Sequence, residues 1–114
     1  MRYMILIYGS PGAWKALDPD ALNAAHVALQ DELRSSRELI DTRELSVDDA
    51  KIVRTEGGRP VVTDGPFVEI KEIAAGYYIV ECSGMDRATE IAGKLVEAQF
   101  APIEVRRIPS AANP

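Results

Sequence analysis

Val61-Val62-Thr63-Asp64-Gly65-Pro66-Phe67-Val68-Glu69-Ile70-Lys71-Glu72 begins as a strand, breaks at Asp64-Gly65-Pro66, and resumes with alternating polar and apolar residues. Pro66 has no N–H to give a sheet ladder and pushes Gly65 away from the helical region, so the break is enforced. Gly65 takes positive φ without penalty, and Asp64 can fold its carboxylate onto a backbone N–H of the turn. Such a bend holds an acid at a fixed point on the rim of a sheet. A plain strand-connecting turn explains the same residues equally well.

On the N-terminal side, Lys51-Ile52-Val53-Arg54-Thr55 and Arg59-Pro60-Val61-Val62-Thr63 flank Glu56-Gly57-Gly58. The two glycines accept the angles of a tight turn, which predicts a hairpin, with Pro60 placing its second arm at an edge. On the other side, Ala74-Ala75-Gly76 leads into Tyr77-Tyr78-Ile79-Val80-Glu81-Cys82, a strand expected to pair with the opening run Tyr3-Met4-Ile5-Leu6-Ile7-Tyr8. That run is apolar on both faces, which suits a central strand. A short helical turn is expected at Ala13-Trp14-Lys15-Ala16-Leu17.

Asp18-Pro19-Asp20 supplies an N-cap, a first-position proline and a first-turn acid. Leu22, Ala25, His26, Leu29, Leu33, Ser36 and Ile40 then recur at spacings of three and four, predicting a helix of about five turns that ends near Leu39 without a glycine. Thr42-Arg43-Glu44-Leu45 reads as a short strand. Ser83 or Asp86 can cap a second helix whose buried stripe is Ala88, Ile91, Ala92, Leu95 and Val96. Ile103 to Ile108 alternates as a last strand, and residues 109–114 read as a frayed tail after a single domain over 1–108. This order of elements predicts an α+β sandwich with two helices on one face of a sheet. Two helices leave the other face uncovered, and a second copy of the chain is the simplest cover.

With 114 residues and 46% hydrophobic composition, the chain has room for one core. A formal net charge of -5 argues against broad affinity for nucleic acid or anionic membranes. Cys82 is the only cysteine, so neither an intrachain disulfide nor a cysteine-rich metal site is available. The opening apolar run is too short to span a bilayer, and a cytoplasmic protein is expected. Gly57-Gly58 lacks the lysine and further glycines of a phosphate-binding loop. No metal and no cofactor is expected.

His26 is the most informative residue outside the central bend. It is the sole histidine and lies within the apolar stripe, between Leu22 and Leu29. An imidazole there is either hydrogen-bonded in the core or facing a cleft between helix and sheet. The first reading is structural; the second pairs it with a carboxylate as a general base, and Asp64 on its stiff bend is the preferred partner. Glu69 and Lys71 share one strand face, which reads as the wet side of a strand or as two groups fixing a polar ligand at the Asp64 rim. Tyr8, Tyr77 and Tyr78 can add a phenol to such a cleft or simply pack.

The chain resembles the YCII-related superfamily, in particular its DGPF-domain subgroup. The resemblance rests on Tyr3-Met4-Ile5-Leu6-Ile7-Tyr8-Gly9, Val62-Thr63-Asp64-Gly65-Pro66-Phe67, Glu69-Ile70-Lys71-Glu72, Gly76-Tyr77-Tyr78 and Ile103-Glu104-Val105-Arg106. It implies a ferredoxin-like sandwich, here with an added β-hairpin, that forms a dimeric α+β barrel from two face-to-face sheets. It also implies an active-site pair at His26 and Asp64. The expectation is therefore a homodimeric small-molecule enzyme of lyase or isomerase type, with His26 and Asp64 as its acid–base pair. Tyr8, Gly65, Pro66, Phe67, Glu69, Lys71 and Tyr77 would bind a small polar metabolite. The alternative is a non-catalytic ligand-binding or regulatory dimer using the same cleft.

Overall fold

Nothing between Tyr3 and Tyr8 disfavours extended backbone, and these residues form the body of β1 (Arg2–Gly9). Tyr3, Ile5 and Ile7 point into the core, while Met4, Leu6 and Tyr8 are half-buried on the other face, the two-residue period of a strand. The computed structural model describes residues 1–9, 17–65 and 73–109. Of the helical turn expected at Ala13-Trp14-Lys15-Ala16-Leu17, all but Leu17 lies outside the described residues.

β1 pairs antiparallel with two strands. On one side is β5 (Ile73–Glu81), the expected partner, and on the other is β6 (Ile103–Ile108), so that Ile5 stands opposite both Tyr78 and Val105. A further strand, β2 (Leu39–Glu44), lies beyond β5 with Thr42 opposite Tyr78. The sheet order is β2-β5-β1-β6. On its inner face lie α1 (Pro19–Ser35) and α2 (Met85–Gly93), and α2 is followed by a 3-10 turn over Val96–Gln99. Leu29 and Leu33 of α1 close the core with Ala88, Ile91, Ala92 and Leu95 against Tyr3, Ile5, Ile7, Tyr78 and Val80.

Both ends of α1 have a local cause. Asp18 Oδ1 accepts from the Asp20 N–H at 3.2 Å, and Pro19 occupies a first-turn position where its missing donor costs nothing. At the far end, Arg37 adopts φ 63, its N–H reaching the Arg34 carbonyl while the Glu38 N–H returns to that of Leu33. This pair of bonds is a Schellman stop, with an arginine where glycine is favoured. The helix accordingly ends at Ser35, and Ile40 belongs to β2. Its spacing from Leu33 only imitates the helical period.

Glu38, just past that stop, holds α2 to the start of β2. Arg87 donates to both its carboxylate oxygens, from Nε at 2.9 Å and Nη2 at 2.7 Å. The two side chains are 25% and 14% exposed, which sets this pair apart from the solvated pairs elsewhere on the surface. Arg87 holds the Glu38 carboxyl below the usual carboxylate range, chiefly through these hydrogen bonds.

The hairpin is where the sequence places it: β3 (Lys51–Glu56) and β4 (Arg59–Asp64) pair as a separate two-stranded sheet. Gly57 and Gly58 take φ +56 and +78, the left-handed angles a two-residue hairpin turn demands. Gly65 does not use positive φ. Its N–H donates to the Ala50 carbonyl at 2.8 Å, and an added Cβ would come within 3.3 Å of Ala50, so it is the lack of a side chain that serves here.

Among the described residues the four-stranded sheet ends at two open edges, β2 and β6, and the hairpin forms its own sheet. The expected ferredoxin-like dimeric α+β barrel is therefore corrected to an open α+β fold with two small antiparallel sheets, neither of which closes. The physical reason lies in the edges: among the described residues β2 and β6 are each bonded on one side only, so nothing closes the sheet on itself. On its outer face Met4, Leu6, Tyr77 and Ile79 are half-buried. Tyr77 donates to Asp41 at 3.1 Å on one flank, and Tyr8 donates to Glu104 at 3.1 Å on the other. No helix among the described residues is long and apolar enough to cross a membrane.

Two outcomes follow from these local causes. Arg37→Gly relieves the left-handed backbone and should raise stability by about 0.5–1 kcal/mol, read as a higher urea midpoint with an unchanged slope. The lowered Glu38 carboxyl contributes stability above its unfolded pKa that is lost as pH falls through the folded one. Wild type should therefore exceed Glu38→Gln in melting temperature at pH 7, with the gap closing between roughly pH 5 and 3.

Candidate functional site

α1 starts beside the open end of β2 and β5, so its first three turns stand off the sheet and leave a cavity of about 560 Å³. Leu22, Asn23, His26 and Gln30 form the helix wall. Thr42, Glu44, Leu45 and Val47 form the opposite side, with Ile7, Ala75, Gly76 and Tyr78 as the floor and Glu97 at the inner end. Apolar side chains make up much of the wall and a few polar groups converge, which is the usual composition of a small-molecule site.

His26 is the meeting point of those polar groups. Its Nδ1 lies 2.7 Å from the Tyr78 hydroxyl, and its Nε2 lies 2.5 Å from Glu97 Oε2. The Gln30 amide donates to the Tyr78 oxygen at 3.4 Å. The imidazole and phenol rings are stacked with centroids 5.8 Å apart. Tyr78 and Glu97 are buried, at 1% and 7% exposure, and the His26 side chain is at 19%. A carboxylate only accepts, so Nε2 carries its hydrogen toward Glu97, and in the neutral ring Nδ1 then accepts from the Tyr78 hydroxyl while Gln30 donates to the same phenol oxygen. The chain of donors thus runs one way, from Gln30 through Tyr78 and His26 to the carboxylate, and selects the Nε2–H form of the neutral ring. Burial pushes the Tyr78 phenol above its usual range.

A group this polar at the helix–sheet boundary is stable only because each member satisfies the next. One atom stands outside the chain. Glu97 Oε1 is buried without a hydrogen-bond partner among the described residues.

The structure does not bring His26 and Asp64 together. Both ring nitrogens of His26 are bonded elsewhere, and the Asp64 carboxylate, 88% exposed at the end of β4, is held by Lys51 across the hairpin ladder. Tyr77 borders the cleft, but its hydroxyl reaches Asp41 on the other side of the sheet, and Tyr8 lies with Glu104 on that same outer face. Gly65 sits at the base of the hairpin. Pro66, Phe67, Glu69 and Lys71 lie outside the described residues.

Glu97 and Gln30 are the site residues that sequence reasoning missed, while Tyr78 is the one of the three candidate phenols that reaches His26. Glu97 follows the buried stripe of α2, and continued α-helical spacing after Leu95 would turn it to solvent. The tighter 3-10 turn over Val96–Gln99 aims it inward instead. The one available signal was a lone acid inside the apolar run Leu95-Val96-Glu97-Ala98. Among the described residues, no three of His, Cys, Asp or Glu are placed to hold a metal ion.

Comparison with known proteins agrees with this fold at the level of a family. A family model described as the YCII-related domain matches residues 1–110. The match is to that domain and not to a DGPF domain, so the subgroup resemblance is corrected to the wider family. An uncharacterized protein of Rhizobium meliloti (strain 1021) is 39% identical over 49 residues, which is 43% of this chain and 40% of that protein. The chain thus matches well under two thirds of the length of this curated relative.

The direction of the donor chain can be measured. Long-range proton–nitrogen NMR should find neutral His26 as the Nε2–H tautomer, with Nδ1 as an acceptor. Tyr78→Phe removes the donor to Nδ1 and should move that nitrogen's shift more than Nε2's. An Nδ1–H ring in the wild type would reverse the assignment.

Proposed function

The chain belongs to the YCII-related domain family, and from that premise we propose that it is a small-molecule enzyme of lyase or isomerase type with His26 as its acid–base centre. The observation that supports this reading is the 2.5 Å contact of His26 Nε2 with Glu97 Oε2, in the wall of a cleft large enough for a metabolite. Glu97 takes the orienting role for which Asp64 was the expected residue. A buried carboxylate at Nε2 favours the imidazolium that forms when Nδ1 accepts a proton.

Tyr78 stands between Nδ1 and the cleft. Its oxygen takes a proton from the bound molecule while its own hydroxyl proton passes to Nδ1. The phenol is never a free phenolate, the form its burial disfavours. Return of the proton along the same path to a different position of the bound molecule completes an isomerisation; its delivery to a leaving group completes an elimination. General acid–base transfer of this kind contributes roughly 10²–10⁴-fold.

A turnover screen against small polar metabolites tests the reading. Wild type should convert at least one compound, with His26→Ala, Glu97→Gln and Tyr78→Phe each slower by about a hundredfold or more, while Asp64→Asn keeps most of the activity. A loss on Asp64→Asn equal to that on Glu97→Gln would restore Asp64 to the acid–base pair. If no compound is turned over faster by wild type than by His26→Ala, although several bind, the cleft serves binding alone.

A further inference from the structure

Glu97 has an acceptor that the described residues do not use. Its Oε2 is spent on His26, but Oε1 has no partner among them, in a residue only 7% exposed. Leaving a buried acceptor unpaired is destabilising, so such atoms are few in folded proteins and call for a cause. Structural need does not supply one, because the bond to His26 requires a single oxygen.

The remaining charges of the cleft point the same way. Glu44 adds a second carboxylate to the lining. Arg43 also borders the cleft, yet its guanidinium is bound to Asp41 at 3.2 Å and to the Thr42 carbonyl at 3.0 Å. The Thr42 hydroxyl is likewise committed, to the Tyr77 carbonyl at 2.9 Å. The described lining therefore offers carboxylate acceptors and no uncommitted cation. An anionic group entering here would be desolvated beside like charge, whereas a donor would complete the carboxylate.

Resting on the cleft being the binding site of the proposed enzyme, we infer that its substrate is a non-anionic molecule that presents an amine or hydroxyl to Glu97 Oε1. The last torsion of a glutamate is soft, so a small turn of the carboxylate exposes Oε1 to the cleft without breaking the His26 contact. The apolar body of the ligand lies against Leu22, Leu45 and Val47. In the reaction, the bond to Oε1 holds the substrate by its polar end while Tyr78 addresses the reacting proton.

Three probes of one skeleton test this: cyclohexylmethylamine, cyclohexylmethanol and cyclohexanecarboxylate, titrated into the full chain and followed by NMR at Glu97, His26 and Leu45. The amine and the alcohol should bind in the cleft at least about tenfold more tightly than the carboxylate, the worth of one charge-assisted hydrogen bond. Glu97→Gln should shrink that ratio to near unity. The wild-type ranking decides the matter by itself should the variant not fold. Carboxylate binding equal to or tighter than the others, an unchanged ratio in Glu97→Gln, or no cleft shifts with any probe would overturn the inference. The acid–base reading is judged separately by turnover and the His26→Ala variant, so a cleft that prefers carboxylates would sink the ligand class and leave that reading standing.

Discussion

An imidazole on the inward side of a helix must find hydrogen-bond partners for both nitrogens or lose stability, and this chain answers that demand from two distant elements. Tyr78 comes from the middle of β5, next to the central strand, and Glu97 from the turn that follows α2. The three residues join α1, the sheet and the C-terminal half of the chain at one point. Moving any of these elements by a residue would leave a buried polar atom unpaired. The polar group therefore constrains the register of the fold, as well as furnishing chemistry at the edge of a cleft.

The same demand explains why the cleft is where it is. Further along α1, Leu29 and Leu33 pack directly onto the sheet, and no space remains. Nearer its start the helix turns Leu22, Asn23 and His26 to the cleft, and His26 meets Tyr78 and Glu97 through hydrogen bonds. The helix stands off, and the resulting space is walled by apolar residues but ends in a carboxylate. Packing and chemistry are two results of one sequence choice, the replacement of aliphatic side chains by amide and imidazole over the first turns.

Much of the architecture was legible because its signals are local. The cap at Asp18-Pro19, the paired glycines of the hairpin and the alternation of the last strand each act within a few residues. The helix end was misjudged because Arg37 takes a conformation that arginine rarely adopts, and because Ile40 falls on the helical period by coincidence. His26 could be singled out from its position in an apolar stripe. Tyr78 was one of three candidate phenols, separated from adjacent Tyr77 only by strand phase, whereas Glu97 gave no such signal because it faces inward only where the helix tightens to 3-10 geometry. The acid chosen from sequence, Asp64, ends β4 with its carboxylate held by a lysine across the ladder, and the expected stiffness of a bend gives no information about distance.

That hairpin has a consequence for how the molecule unfolds. Its two strands bond to each other and not to the four-stranded sheet, and Val53 and Val62, paired across them, remain 64% and 59% exposed. A two-stranded ribbon with so little buried surface is marginal on its own. It constitutes a separate cooperative unit whose amide protons exchange through a small opening, long before those of β1, which must await global unfolding. The strand carrying Tyr78, bonded on both sides within the four-stranded sheet, belongs to the more durable unit.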